Sequence, residues 1–302
     1  MIMALVACND EPIGEVKNDV EGSVDKQEIL SFLTKNAPIK QSFTKDSDNA
    51  FSITTKGYLV FGFGKSAFKT KSGDVVTGSV DISITEYLSN ADIIYGGVTT
   101  ATKDKILQSG GMFQIVVTQH GEELELNTKQ YDVQFPTDAI DWSMQIFKGE
   151  EITNENGEQD ISWEENYDSW VRDDSINRDT VYRTKFGFLN WGNLDKYSLN
   201  TTGSTIHLKL PEIYTNKNTL VYVVMADRSI NYMYSSQAKK EFYSKQYLLP
   251  ANMDFKILVI SSADGTLKHK LVHSKVVPNH LEIVTTMDDI SEVDLDQVIQ
   301  NI

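Results

Sequence analysis

The chain has 302 residues, of which 40% are hydrophobic and 10% aromatic, so it can build packed cores and is not intrinsically disordered. Its formal net charge of −15 argues against a nucleic-acid partner, because phosphate binding uses clustered Lys and Arg side chains. A chain of this length holds about two domains.

The only cysteine, Cys8, stands close to the start of the chain. A lone cysteine cannot form an intramolecular disulfide, and a structural zinc site needs three or four ligands. Cys8 is therefore either an inert small hydrophobe or a site of modification. The segment Leu5–Cys8 (LVAC) resembles the lipobox of bacterial lipoproteins. This resemblance implies that residues 1–8 are a residual signal peptide and lipobox, and that Cys8 is lipidated and becomes the mature N-terminus.

The segment after the cysteine, Asn9–Glu11 (NDE), is acidic. In lipoproteins of Bacteroidota-like bacteria, an acidic stretch at this position resembles the signal that directs the protein to the surface of the outer membrane. Alternatively, it is part of a solvated acidic linker. Because no stretch reaches about 18 apolar residues, we expect the lipid on Cys8 to be the link to the membrane. The expected location is the cell envelope, at the outer membrane and exposed at the cell surface.

Residues 9–37 predict a polar tether followed by a short helix. Asp25 and Glu28 have the spacing of a capping box, and Pro38 ends the pattern. The apolar face of this helix consists of Ile29, Leu30, Phe32 and Leu33.

Residues 38–141 predict an antiparallel β-sandwich, because short runs of alternating hydrophobicity are separated by turn residues. The clearest example is Ser79–Thr85, in which Val80, Ile82 and Ile84 alternate with polar residues. The order FKTKSGDVVTGSVDISITEY, ADIIYGGVTT and ILQSGGMFQIVVTQHGEELEL (within 68–126) resembles the ZU5-like β-sandwich modules of Bacteroidota envelope lipoproteins, a family of unknown function.

Residues 142–203 are acidic and rich in tryptophan, and predict an irregular connecting segment. Its most informative part is WEENYDSW, which interleaves rings with carboxylates as carbohydrate sites do. Alternatively, the tryptophans pack between the two modules while the acids face water. The candidate ligand-binding residues are Trp163, Glu164, Glu165, Tyr167, Asp168 and Trp170.

The end of this segment, Phe186–Tyr197 (FGFLNWGNLDKY), resembles a motif that recurs between two β-modules in the same lipoproteins. Asn190, Asn193 and Asp195 are expected to stabilise turns, with oxygen ligation of calcium as the alternative.

Residues 204–302 predict a second β-sandwich module with a C-terminal helix. Strand-like runs such as NTLVYVVMA and DFKILVISS return here. Ser291–Asp294 has a capping-box pattern, and an apolar stripe follows at helical spacing: Leu295, Val298, Ile299 and Ile302. The expected fold class is therefore mainly β, with two antiparallel sandwiches and short helices near both ends.

We expect no catalytic residues, cofactor, metal or nucleotide. Gly62–Ser66 ends like a phosphate-binding loop but lacks its first glycine and a following helix. His269 and His273 are four residues apart on a predicted strand, where their Cα atoms would be about 13 Å apart and could not serve one metal. No serine stands in the Gly-x-Ser-x-Gly pattern of a nucleophile elbow.

Two functions stay open from the sequence. One is a non-enzymatic cell-envelope lipoprotein that acts as a binding or assembly module, with a protein or glycan partner. The other is a surface glycan hydrolase that uses carboxylates of the 150–175 region.

Overall fold

The computed structural model describes residues 26–172, 181–198, 203–225, 228–236, 238–245 and 249–302. Cys8, the lipobox and residues 9–25 of the tether lie outside this part of the chain. Within it the protein is mainly β, with antiparallel sheets and short helices near both ends, as the sequence predicts.

The first half of the described chain contains the elements α1 (Gln27–Asn36), β1 (Gln41–Asp46), β2 (Phe51–Thr54), β3 (Val60–Phe63), β4 (Phe68–Lys69), β5 (Ser79–Tyr87), α2 (Asn90–Tyr95), β6 (Leu107–Gln119), β7 (Glu122–Glu123), β8 (Glu125–Leu126), β9 (Tyr131–Pro136), β10 (Gln145–Thr153), β11 (Gln159–Glu165) and β12 (Trp170–Arg172). The second half contains β13 (Val181–Phe186), β14 (Asn190–Tyr197), β15 (Gly203–Ser204), β16 (Ile206–Lys209), β17 (Thr219–Met225), β18 (Ile230–Tyr232), β19 (Tyr234–Ser236), β20 (Glu241–Tyr243), β21 (Leu249–Pro250), β22 (Asp254–Ser261), β23 (Lys268–Lys275), β24 (His280–Ile283), β25 (Asp288–Asp289) and α3 (Glu292–Gln300).

Two antiparallel sheets form the first sandwich. The larger sheet has the strand order β1-β5-β6-β14-β10-β11, with β7 paired to β6, and the smaller sheet has the order β12-β13-β9-β3-β2. Val80, Ile82 and Ile84 point into the shared core, as their alternation predicts. The facing sheet contributes Phe61, Phe63, Val133, Phe135 and Phe186 to the same core.

The expectation of an irregular connection over 142–203 is wrong, because this stretch contains β10 to β14. Three of these strands complete the larger sheet and two complete the smaller one. Apolar side chains such as Phe147, Trp163 and Phe186 enter cores, whereas charged residues such as Glu150 and Glu164 occupy exposed positions. In the described part of this stretch, the polar residues occupy solvent-facing positions of strands and a hairpin turn at Asn154–Glu158.

The second sandwich is also antiparallel for the most part, with strand orders β18-β17-β22-β23-β25 and β19-β20-β16-β24. The exception is the pair β16 and β24, which run parallel to each other. Its core contains Ile206, Leu208, Val221, Val223, Phe255, Ile257 and Val259. Every residue of β17 is buried, because its two faces belong to two different cores.

A third core lies between the sandwiches and joins them. It combines residues of the larger sheet, including Phe147, Trp163 and Trp191, with Tyr222 and Leu258 of the second sandwich. The three helices pack into it through Ile29, Phe32, Leu33, Ala91, Ile94, Leu295 and Ile299.

The helices near the two ends match their sequence signals in part. In α3, Ser291 caps the first turn by accepting a bond from the Asp294 N–H at 3.1 Å, as predicted. In α1, Ile29, Phe32 and Leu33 are buried but Leu30 is exposed. A third helix, α2, was not predicted from the sequence; it begins at a capping box formed by Ser89 and Asp92.

Candidate binding groove on the outer face of the smaller sheet

Trp170 begins β12 at the edge of the smaller sheet, and 41% of its surface is exposed. Lys185 on β13 is its cross-strand partner, so the two side chains share the outer face of the sheet. The register of the neighbouring strands places Asp132 on β9, Gly62 on β3 and Ser52 on β2 next to Lys185 in turn. Together with Trp170, these residues form one row on the outer face of the sheet. The row crosses all five strands.

A groove of about 280 Å³ follows this row and is called the outer groove below. It is lined by Ser52, Val60, Gly62, Asp132, Val133, Gln134, Trp170, Arg183, Thr184 and Lys185. Gly62 leaves a gap in the row because it has no side chain. A Cβ atom built there would lie 3.4 Å from the Asp132 Cβ, which is ordinary contact, so the gap can accept a small group without a clash.

Two opposite charges meet in the row. The Lys185 Nζ lies 2.6 Å from Asp132 Oδ1, and both side chains are partly exposed. A pair of this kind adds little to stability because water screens it. It does hold a donor and an acceptor side by side, where both can also bind a ligand.

The outer groove thus combines one partly exposed indole ring with polar and charged side chains, which make up most of its lining. A sugar ring can lie on the indole of Trp170 while its hydroxyls bond to Asp132, Lys185 and Gln134. No group in the row is positioned as a nucleophile beside a base, so binding is the simplest chemistry that it supports.

Trp163 is 2% exposed and lies in the third core, so it cannot offer a ring face to a sugar. Its Nε1 donates to the Thr99 carbonyl at 2.7 Å, which fixes the indole in place. Trp163 therefore packs between the sandwiches, whereas Trp170 lies on the outer face of the smaller sheet. Trp163, Tyr167 and Trp170 do not form one exposed platform.

Tyr167 is 85% exposed, and its hydroxyl donates to Glu165 Oε2 at 3.2 Å. The same oxygen accepts a bond from the Tyr197 hydroxyl at 3.0 Å. Burial, followed by the bond to Glu165, raises the pKa of Tyr197, so both tyrosines stay protonated donors near neutral pH. The Glu165 carboxylate is thus engaged by two phenols.

Glu164 and Asp168 occupy separate positions. Glu164 and Glu165 are consecutive on β11, so their side chains point to opposite faces of the larger sheet. Asp168 is exposed in the connection to β12, and its backbone carbonyl accepts a bond from the Gln130 side chain.

Four residues of the groove, Gly62, Asp132, Arg183 and Lys185, were not predicted from the sequence as site residues. The signal that was available is Gly62 itself, because a glycine inside a strand often marks a place where another group approaches the backbone closely. Its position opposite Asp132 depends on the pairing of β3 with β9, which the sequence does not specify.

Asn193 and Asp195 do not stabilise turns, because both are fully buried in β14. The Asn193 Nδ2 donates to Asp195 Oδ2 at 2.6 Å. Burial holds the pKa of the Asp195 carboxyl well above its usual range, against the bonds from Ser109, Gly110 and Asn193, which lower it. Asn190 begins the same strand in the left-handed region, at φ 78°.

Within the described residues, no helix is long and apolar enough to cross a membrane. The same part of the chain contains no cluster of three or more His, Cys, Asp and Glu side chains suited to a metal ion. His269 and His273 both lie on β23. Comparisons with protein families, with curated proteins and with solved structures find no match to this chain.

Proposed function

We propose that this chain is a non-enzymatic cell-envelope lipoprotein that binds a glycan in the outer groove. The observation that carries this proposal is the row Trp170–Lys185–Asp132–Gly62–Ser52, in which an exposed ring and paired polar groups flank a gap. The lipobox-like LVAC segment and the acidic residues that follow it support the envelope location.

Hydrolysis by the 150–175 region has less support. A glycosidase needs two carboxyl groups about 5–9.5 Å apart on either side of the scissile bond. Glu164 and Glu165 point to opposite faces of a sheet, and Glu165 already accepts two phenolic bonds. The binding function is therefore favoured over catalysis.

The two exposed tryptophans provide a matched test. Trp170 lies in the outer groove, whereas Trp142 is 58% exposed and does not line it. We expect Trp170→Ala to weaken binding to immobilised glycans by at least about tenfold, because a stacking ring contributes on the order of 1.4 kcal/mol. Trp142→Ala should bind like the wild type. Isothermal titration calorimetry on hits from a glycan array measures both variants.

Three outcomes would contradict the proposal. The first is that no glycan binds, and the second is that both tryptophan variants bind like the wild type. The third is that the wild type releases reducing ends from a bound glycan and that Glu164→Gln or Glu165→Gln abolishes this release. That result would favour the hydrolase.

A further inference from the structure

The hairpin that joins β10 to β11 contacts the second sandwich through one asparagine. Its turn, Asn154–Glu158, is called the hairpin tip below. The Asn156 Nδ2 donates to the Met233 carbonyl at 3.0 Å, and the Asn156 Oδ1 accepts a bond from the Ser235 N–H at 3.0 Å. One side-chain amide thus bonds to a backbone acceptor and to a backbone donor two residues further on, as a neighbouring strand would.

These two backbone groups lie at a corner of the second sandwich. Met233 connects β18 to β19, which belong to different sheets, and its side chain is buried. Ser235 lies on β19, which is the edge strand of its sheet. A backbone N–H or C=O that loses its partner away from water costs free energy. Asn156 therefore stabilises this corner from the first sandwich.

The hairpin tip is held on both sides of Asn156. On one side, the Tyr243 hydroxyl donates to Glu155 Oε2 at 3.1 Å. On the other side, Lys26 and Glu158 form an ion pair whose side chains are 10% and 8% exposed. The loss of one of these contacts should increase the fraction of molecules in which the hairpin tip is undocked.

Asn156 is followed by Gly157, and this is the only Asn-Gly pair in the sequence. Gly157 is exposed at φ 85°, and it has no side chain to hinder an attack by its backbone nitrogen. Such an asparagine can lose its amide without an enzyme. The Gly157 nitrogen gives its proton to hydroxide and attacks Asn156 Cγ, so that a new N–Cγ bond closes a succinimide ring. The Cγ–Nδ2 bond breaks, and Nδ2 takes a proton from water and leaves as ammonia.

Water completes the reaction by opening the succinimide ring at either carbonyl, which gives aspartate or isoaspartate. No oxidant or reductant takes part. In the docked hairpin tip the Gly157 N–H donates to the Asn154 carbonyl at 2.9 Å, and both ends of the Asn156 amide are engaged. Ring closure requires these bonds to break, so its rate depends on how often the hairpin tip undocks.

We propose that Asn156 is a site of spontaneous deamidation and that its conversion to aspartate or isoaspartate releases the hairpin tip from the second sandwich. Aspartate has an oxygen in place of the Nδ2 donor, so two acceptors face each other at the Met233 carbonyl. It also adds a negative charge between Glu155 and Glu158. Isoaspartate lengthens the backbone and distorts the turn. This proposal is independent of glycan binding in the outer groove.

The first measurement is the rate of deamidation in the folded, full-length chain. The protein is incubated near neutral pH in heavy-oxygen water, and peptide mapping by mass spectrometry locates the label that ring opening introduces. We expect the label at residue 156 and none at Asn252, which is exposed with a positive φ but precedes Met253. The unfolded chain in urea should be labelled at residue 156 faster than the folded chain.

A pair of tyrosine variants tests whether undocking controls the rate. Tyr243→Phe removes the bond to Glu155 and should speed deamidation by about threefold to tenfold, which is the effect of one hydrogen bond on the undocked fraction. Tyr58→Phe is the matched control, because Tyr58 is exposed and lies in the turn between β2 and β3. It should deamidate at the wild-type rate.

The second measurement is hydrogen exchange at the Ser235 N–H, which reports release of the hairpin tip. Asn156→Asp supplies the product directly and should speed this exchange by at least about tenfold. The buried strand β17 should keep its protection in the same variant. If Asn156→Asp does not fold, aged wild-type protein that has deamidated in the folded state, separated by anion exchange, provides the same measurement.

Three results would overturn the proposal. An Asn156 that stays intact in the folded protein while the unfolded chain is labelled would exclude the site. Equal rates in Tyr243→Phe, Tyr58→Phe and the wild type would show that undocking does not control the reaction. Unchanged exchange at Ser235 in the deamidated protein would show that the modification does not release the hairpin tip.

Discussion

The indole rings of Trp163 and Trp191 pack edge to face across Gly149, with centroids 6.3 Å apart and planes at 85°. Gly149 is the cross-strand partner of both tryptophans, on β11 and on β14. The absence of a side chain at Gly149 lets the two rings meet in the third core. This contact links the larger sheet of the first sandwich to the core that it shares with the second.

Gly149→Ala should therefore destabilise the protein. A Cβ at this position would lie 2.6 Å from Ile161 Cγ2, 2.7 Å from Trp191 Cβ and 2.8 Å from Trp163 Cζ3, so buried groups must move. Overpacking of this kind costs about 1–3 kcal/mol in the free energy of unfolding, measurable by urea denaturation. Gly64→Ala is the control, because nothing lies within 4 Å of its Cβ position. Equal midpoints for the two variants would contradict this account of Gly149.

Trp163→Ala should destabilise the protein far more than Trp170→Ala. Removing the buried indole of Trp163 leaves a cavity and frees the Thr99 carbonyl, at a cost of about 3–5 kcal/mol. Trp170 is partly exposed, and its removal should change the free energy of unfolding by less than about 1 kcal/mol. Thermal unfolding followed by near-ultraviolet circular dichroism measures both. A small effect at Trp163 would show that the third core tolerates the loss.

Gly62→Ala should block the outer groove and leave the fold intact. The added methyl group makes ordinary contact with Asp132 and fills the gap in the row. The backbone of Gly62 is not in the left-handed region, so alanine can adopt it without strain. Because alanine lowers the conformational entropy of the unfolded chain, the change should raise the free energy of unfolding by about 0.4–1 kcal/mol. Glycan affinity should fall in the same variant. Unchanged affinity would exclude the gap as part of the binding surface.

Asp160→Asn should change how stability depends on pH. Burial raises the pKa of Asp160 to about 6, against the bonds from the Ile161 N–H and Thr99 and the charge of Lys245, which lower it. Between the unfolded pKa near 4 and the folded value, the native state holds a proton that the unfolded state has released. The free energy of unfolding of the wild type therefore falls as pH rises through this range, by about 3 kcal/mol.

The asparagine of the Asp160→Asn variant does not titrate in this pH range. It can still accept the bond from the Ile161 N–H, which lies 2.7 Å from Asp160 Oδ1. Between about pH 4 and about pH 7, the free energy of unfolding of the variant should thus rise relative to that of the wild type. Urea denaturation at a series of pH values measures this difference. A constant difference across the range would mean that burial does not raise the pKa of Asp160 in the folded protein.

Cys8→Ser should release the protein from membranes if Cys8 is lipidated as the LVAC segment implies. Intact mass spectrometry of the protein expressed from its full gene should show diacylglycerol-sized additions on the wild type that are absent from the variant. Two or more acyl chains anchor a protein stably, at about 0.8 kcal/mol per buried methylene. A wild-type product with a free thiol in the soluble fraction would contradict this prediction.

Local pattern in the sequence determined the fold class and several elements. The alternation of Val80, Ile82 and Ile84 predicts a half-buried strand, because successive side chains of a strand point to opposite faces. Ser291 and Asp294 mark the start of α3, because a capping residue and its partner are close in the chain. Such signals depend on neighbours within a few residues, which the sequence contains.

The binding surface and the third core were decided by tertiary structure. WEENYDSW gives Trp163 and Trp170 similar surroundings in the sequence, yet β11 joins the larger sheet and β12 the smaller one, so one ring is buried between the sandwiches and the other is exposed. The outer groove needs the pairing of β3, β9 and β13, which brings Gly62, Asp132 and Lys185 together from positions up to 123 residues apart. Strand pairing over such separations is set by the packing of whole sheets, and no local pattern in the chain specifies it.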